Sequence, residues 1–157
     1  MLIGIIMLLL LMPVQVYAES SCVGCMSSAA AAREVVLIPP SFGITWIVPE
    51  NPTELFDKAA YRTMTDTVGY GLVNLRANMV RPGPTGSTIR LEYQNAEGGW
   101  SLFSSAVLSI DETGFSQTGY IPITSDAKKE GCLIRIVAEG GDGETKAIFS
   151  SIAMEIK

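Results

Sequence analysis

The sequence contains no histidine. Its absence removes the side chain that most often serves as general base or proton shuttle, and also the commonest transition-metal ligand. No phosphate-binding loop, dinucleotide fingerprint or serine nucleophile elbow is present either. We therefore predict a protein that is not an enzyme and that needs no cofactor.

Positive charge is also scarce. The chain has 11 Lys and Arg residues against 16 Asp and Glu residues, and its net charge is −5 at pH 7. The basic residues are scattered, whereas a nucleic-acid-binding surface needs them clustered on one face. We expect neither nucleic acid nor an anionic membrane surface as a partner.

A long apolar run occurs only at the start of the chain, in residues 1–18, which end in Val16, Tyr17 and Ala18. An apolar segment of roughly 7 to 15 residues followed by small side chains is typical of a secretory signal peptide. We predict an apolar helix there, cleaved after Ala18. A membrane span needs about 20 apolar residues, and Pro13 ends this run too early. The expected localisation is secreted or in the cell envelope.

Cysteine is rare and odd in number, with Cys22, Cys25 and Cys132. The last lies in an apolar run and is most simply a small buried hydrophobic residue. Cys22 and Cys25 follow the predicted cleavage site. They could be flexible tail cysteines, a lipidation site, a disulfide, or half of a redox or zinc site. A zinc site needs a second pair, and a thioredoxin-like motif needs a βαβ unit. Membrane attachment is expected only through an uncleaved signal or a lipidated Cys22 or Cys25.

We predict that residues 19–33 form a flexible tether and that residues 34–157 form a single domain. Short apolar or alternating runs separated by Gly, Pro, Asn and Asp indicate an all-β, antiparallel fold. We predict strands at 35–38, 44–48, 72–80, 88–94, 100–103, 106–110, 119–123, 133–138 and 146–156, with residues 61–65 leading into the strand at 72–80. Residues 53–60 fit a turn of helix or a loop. About eight one-sided strands bury their apolar faces best as a β-sandwich of jelly-roll type.

Alternation also predicts which side chains face the core. In the strand at 72–80, the apolar set alternates with Asn and Arg; in that at 88–94 it alternates with Arg, Glu and Gln. In the last strand, four residues of the same parity are expected on one face. The three predicted core sets are Val73, Leu75, Ala77 and Met79; Ile89, Leu91 and Tyr93; and Ile148, Ile152, Met154 and Ile156.

Several segments share their order and spacing with a known group of proteins: 52–56, 61–63, 74–78, 89–94 with Trp100, and 133–137 followed by Gly141-Asp142-Gly143. Over residues 44–157 the chain resembles small, largely uncharacterised β-sandwich proteins found among tailed-bacteriophage structural or tail genes and in related bacterial sequences. The resemblance implies a surface or virion-type structural domain without a known reaction. The predicted export signal departs from that group and favours an envelope or extracellular setting over a phage particle.

Two groups of side chains are candidate sites. Glu139, Asp142 and Glu144 crowd a glycine-rich turn, where their carboxylates could hold calcium. Alternatively, the glycines set the backbone geometry of that turn and the acids are solvated. Trp46, Trp100 and Tyr120 could form a stacking platform for sugar rings, or they could belong to the core, since aromatic side chains bury large areas.

These observations lead to two functional hypotheses. The first is an exported, non-enzymatic structural or adhesive surface module that associates with itself or with other surface or virion proteins. Its basis is the pair of short, proline-bounded strands before Glu54, which are suited to pairing with a neighbouring chain. The alternative is a carbohydrate-binding module that recognises glycans through loop aromatics.

Overall fold

We describe the protein from a computed structural model, in which residues 31–38, 44–51, 53–54 and 63–157 can be described. The predicted signal peptide, most of the tether, Cys22, Cys25 and residues 55–60 lie outside these ranges. Within them the fold is all-β and antiparallel, as the alternation predicts. The strands are β1 Arg33–Ile38, β2 Ile44–Ile47, β3 Thr53–Glu54, β4 Thr63–Thr65, β5 Leu72–Arg81, β6 Thr88–Gln94, β7 Trp100–Ser109, β8 Gly114–Gln117, β9 Ile121–Pro122, β10 Cys132–Glu139 and β11 Lys146–Ile156, with a 3-10 turn at Ser125–Ala127.

The strands form two sheets. In sheet A, β11 and β5 lie side by side in the centre; β1 and β2 both pair with the free side of β11, and β8 and β9 both pair with the free side of β5. In sheet B, β10 and β6 are central, with β3 and β4 beside β10 and β7 beside β6. The first described strand therefore pairs with the last, in a register that places Arg33 opposite Ile156.

The core lies between the sheets and confirms most of the predicted faces. All four predicted core residues of β5 and all three of β6 are buried in one cluster with the inward residues of β10 and β11. Cys132 belongs to this cluster, where burial raises the pKa of its thiol. The thiol is thus kept protonated, as expected of a structural cysteine.

The last strand departs from the predicted alternation. Its pairing with β5 shifts register around Phe149 and Ser151, so that the residues before and after the shift change sides. Phe149 is fully buried, while Ile148 is only half-buried, so its predicted core position is wrong. A bulge of this kind inverts the parity of a strand, which a strict period of two does not anticipate.

A second irregularity lies in β7. The predicted strands at 100–103 and 106–110 are one strand interrupted by a bulge, in which Ser104 and Ser105 have φ values of 51° and 59°. These are left-handed conformations, uncommon for residues other than glycine. The hydroxyl oxygen of Ser104 accepts a hydrogen bond from the Thr124 backbone N–H at 2.8 Å, which ties the bulge to the chain after β9.

Candidate functional site

An open groove of about 280 Å³ crosses the outer face of sheet A. Its floor has the short side chains Ser151 and Ala153, contributed by the central strand β11. Taller apolar side chains stand on either side, Val36 from β1 and Phe115 from β8. The concavity therefore results from small residues in the centre of the sheet and larger ones toward its edges. We refer to it as the outer groove.

Arg76 of β5 organises the charges in the outer groove. Its Nη1 lies 3.1 Å from Glu34 Oε2 and 3.6 Å from Glu155 Oε2, so one cation sits between two carboxylates. Its guanidinium carbon also lies 5.5 Å from the centre of the Phe115 ring. These four side chains come from four different strands or strand ends, and antiparallel pairing brings them to one face.

Phe115 is the most exposed aromatic side chain of the described residues, with 58% of its surface accessible. The pairing explains its direction, because Phe115 lies opposite Asn78, an outward-facing residue of β5, and alternates with the half-buried Ser116. The alternation did not predict β8, and Phe115 was therefore not a candidate residue. The available signal was the short alternation Gly-Phe-Ser-Gln after a turn, which resembles a strand but does not say which face is solvated.

Tyr120 lies beside the same charged cluster. A hydrogen bond with Glu155 raises the pKa of the Tyr120 phenol, and Lys157 Nζ lies 4.0 Å from the centre of its ring. The side chain is 39% exposed. Of the three predicted aromatic residues, Tyr120 is thus the one connected to the outer groove, through the carboxylate that it shares with Arg76.

Trp100 lies on the other sheet. It begins β7, is half-buried, and has the guanidinium carbon of Arg135 4.3 Å from its ring centre. Arg135 in turn contacts Glu92 at 2.6 Å. The backbone of Trp46 pairs with Ala147 in sheet A, and its side chain lies outside the described part of the structure. The structure therefore does not bring Trp100 and Tyr120 together as one platform.

The outer face of sheet B carries a chain of ion pairs. Glu92 is only 6% exposed although its strand position faces outward. Its two carboxylate oxygens contact Arg90 at 2.8 Å and Arg135 at 2.6 Å, and Arg90 continues to Glu139 at 2.9 Å. A carboxylate removed from water to this degree needs such partners. Glu139, predicted as a metal ligand, is thus engaged in a structural ion pair.

The other two predicted metal ligands lie in the turn after β10. The Asp142 carboxylate accepts hydrogen bonds from the backbone N–H groups of Glu144 at 2.9 Å and Thr145 at 2.6 Å, and from the Thr145 hydroxyl. These bonds lower the pKa of Asp142 to about 2. Glu144 is exposed. Among the described residues no three His, Cys, Asp or Glu side chains are grouped so that they could hold a metal ion.

Close packing requires glycine at position 141 of this turn. A side chain on Gly141 would place its Cβ 2.1 Å from the carbonyl oxygen of Val48. The Gly141 N–H donates to the Pro49 carbonyl at 2.8 Å, and the Gly143 N–H donates to the Val48 carbonyl at 3.0 Å. The turn is therefore pressed against the chain that follows β2, and the acids stand at its surface.

No protein-family model matches this chain, and neither does any curated protein. Within the described ranges, no helix is both long and apolar enough to cross a membrane.

Proposed function

We propose that this chain is an exported, non-enzymatic structural or adhesive module whose two sheets form a jelly roll, located at the cell surface or envelope or on a virion. Support for the jelly roll comes from counting β1 with β2, β3 with β4, and β8 with β9 as single positions. In chain order, the first position then pairs with the last, the second with the second last, and so inward to the β6–β7 hairpin. Jelly rolls of about eight strands occur in viral capsid and lectin domains.

The observation that carries the assembly function is the position of the early strands. Both β1 and β2 pair with β11 alone among the described strands, which leaves their other side at the edge of sheet A. An edge strand presents unpaired N–H and C=O groups, and a strand from a second chain can add there. The two proline-bounded strands predicted to pair with a neighbouring chain are thus edge strands.

The partner proposed for this edge is a second copy of the chain or another surface or virion protein, as the resemblance to phage structural proteins suggests. Ile47 of β2 supports an apolar contact, because it is 45% exposed beside the edge. Its neighbour across the ladder is Lys146. A carboxylate at position 47 would therefore face a cation within the sheet while adding charge to the edge, a change that blocks strand addition without disturbing the fold.

The test measures the mass of the purified full chain by light-scattering chromatography over a range of concentrations. We expect a discrete oligomer or polymer for the natural sequence and a shift toward monomer for Ile47→Glu. Val68→Glu is the matched control, since Val68 is 59% exposed and lies in the turn before β5, outside β1 and β2. A natural chain that stays monomeric throughout, or equal loss of assembly in both variants, would contradict edge-to-edge association.

A second function, glycan binding, is favoured by the outer groove. Binding sites for small ligands are concave and combine apolar surface with a few convergent polar groups. The outer groove has both, since its lining includes Phe115 beside Arg76 and Glu34, and Glu155 lies next to Arg76. Adding soluble polysaccharides to the same chromatography separates the two functions, because a lectin-like module elutes with the polysaccharide, whereas a purely structural module does not.

A further inference from the structure

We propose that the outer groove binds a neutral saccharide, with the exposed ring of Phe115 as the stacking surface and Arg76 as the principal hydrogen-bond donor. This inference rests on glycan binding as a function of the protein and assigns it to a site. It also takes Phe115 as the stacking surface, in place of the aromatic residues predicted from the sequence, Trp46, Trp100 and Tyr120.

Phe115 is exposed although it lies in a paired strand. Burying a phenylalanine side chain stabilises a protein by about 1.5 to 3 kcal/mol relative to leaving it in water. Because Phe115 is 58% exposed, most of this stabilisation is absent. Its ring also lines a concave surface. An apolar ring presented in this way, with polar groups around it, is typical of a surface that a ligand covers.

The outer groove also carries hydrogen-bond donors and acceptors. A guanidinium has five N–H donors, and within the described residues the two carboxylate contacts of Arg76 both involve Nη1. Donors of Arg76 therefore remain for a ligand. Acceptors lie close by, since 52% of the Glu34 side chain is accessible and Asn78 is exposed in the groove lining. Sugar hydroxyls both donate and accept hydrogen bonds, so they match a groove that offers donors and acceptors together.

The charges around the outer groove are balanced, and this balance selects the class of saccharide. Arg76 is flanked by Glu34 and Glu155, and Lys157 lies over Tyr120, which is itself hydrogen-bonded to Glu155. Cations and anions thus alternate, and neither sign dominates. Strongly charged ligands are attracted by sites in which one sign of charge prevails. A neutral glycan is therefore favoured over a sulfated or uronic-acid polymer.

The size of the groove limits how much of the glycan is recognised. Its volume of about 280 Å³ is at the lower end of ligand sites, and it is open to solvent on the outer face of the sheet. We infer that it holds a short stretch of a longer chain, with the polysaccharide continuing beyond the groove.

The experiment is affinity electrophoresis of the full chain in native gels that contain mannan, xyloglucan, amylopectin or dextran, with heparin and polygalacturonate as charged probes. We expect retardation in at least one neutral gel and none in the charged gels. Phe115→Ala is expected to weaken the binding about tenfold or more, as removal of a central contact does. Phe115→Tyr, which keeps the ring, is expected to retain binding.

Val107→Ala is the matched control, because Val107 is 42% exposed on the other sheet. Thermal unfolding of each variant establishes that it is folded. Binding that survives Phe115→Ala but is lost in Trp100→Ala would overturn the groove assignment and leave glycan binding intact. Retardation in no neutral gel would overturn both. Preferential binding of heparin or polygalacturonate would overturn the neutral class.

A second copy of the chain is the competing occupant of the outer groove. Light scattering of the Phe115→Ala variant distinguishes it, since we expect this substitution to leave the oligomeric state unchanged. A switch from oligomer to monomer, without any retardation by glycan, would show that the groove is a protein interface and would overturn the proposal.

Discussion

Two aspartates, Asp111 and Asp142, hold turns of the backbone in place. Asp111 accepts a hydrogen bond from the Gly86 N–H at 2.9 Å and another from the Ser109 hydroxyl, which lower the pKa of Asp111. Asp142 likewise accepts hydrogen bonds from backbone N–H groups in the turn before β11. Side chains of this kind close turns by satisfying N–H groups that no strand can pair. The candidate metal ligand Asp142 thus already has a structural role.

That role makes stability depend on pH in a defined window. The pKa of Asp142 falls from its ordinary value of 3.8 to about 2 in the folded protein, so its stabilising contribution is complete above about pH 4 and is lost as the pH falls toward about 2. We expect Asp142→Asn to be less stable than the natural chain at neutral pH and to lose less stability over that window. Urea unfolding at several pH values from about 5 to about 2 measures the difference.

The matching control is Glu112→Gln, which removes an exposed carboxyl group from a different turn. If both variants lost stability in parallel with the natural chain between about pH 4 and pH 2, the hydrogen bonds of Asp142 would not contribute to acid sensitivity.

At the scale of strands, the alternation of apolar and polar residues predicted strand bounds and buried faces, because both depend on residues that are close in sequence. The bounds of β6 agree with the predicted strand at 88–94, and the predicted inward set of β5 is buried. Among the described strands, β9 pairs with β5 alone, which agrees with the preference of proline, here Pro122, for edge strands. The bulge that inverts β11 and the direction of Phe115 were not predictable, because each depends on a neighbouring strand that is remote in sequence.

The same distinction applies to the candidate sites. Tyr120, Trp100 and Glu139 were recognised as residues of interest, but their partners are Glu155, Arg135 and Arg90, which are distant in sequence. No spacing rule relates residues that meet only through sheet pairing. Arg76 was therefore read from the sequence as an ordinary solvated residue of an alternating strand, although it organises the outer groove.

The turn between β10 and β11 offers a direct test of packing. We expect Gly141→Ala to destabilise the protein by about 2 to 4 kcal/mol, because the new Cβ would overlap the Val48 carbonyl and force the turn away from it. Gly69→Ala is the control, since a Cβ at Gly69 meets nothing within 4 Å. Denaturant unfolding of both variants gives the comparison; equal stability would show that the turn is free to move.

For the molecule as a whole, export is the property on which the proposed setting depends. We expect the mature protein recovered from outside the cytoplasm to have the mass of residues 19–157, since the small side chains ending at Ala18 fit a cleavage site. Intact-mass spectrometry and N-terminal sequencing measure this. An uncleaved N-terminus would favour membrane retention, and a mass increase located at Cys22 or Cys25 would identify a lipid anchor.

The pairing of β1 with β11 has a consequence for how the chain acquires its structure. A polypeptide that emerges from a ribosome or an export channel delivers β1 first and β11 last, so sheet A has no complete central ladder until the end of the chain arrives. Folds dominated by such remote pairings form slowly, and their unpaired strands are exposed in the meantime. During synthesis, the inward residues of β1 and β5 therefore lack their common partner strand until β11 itself has been made.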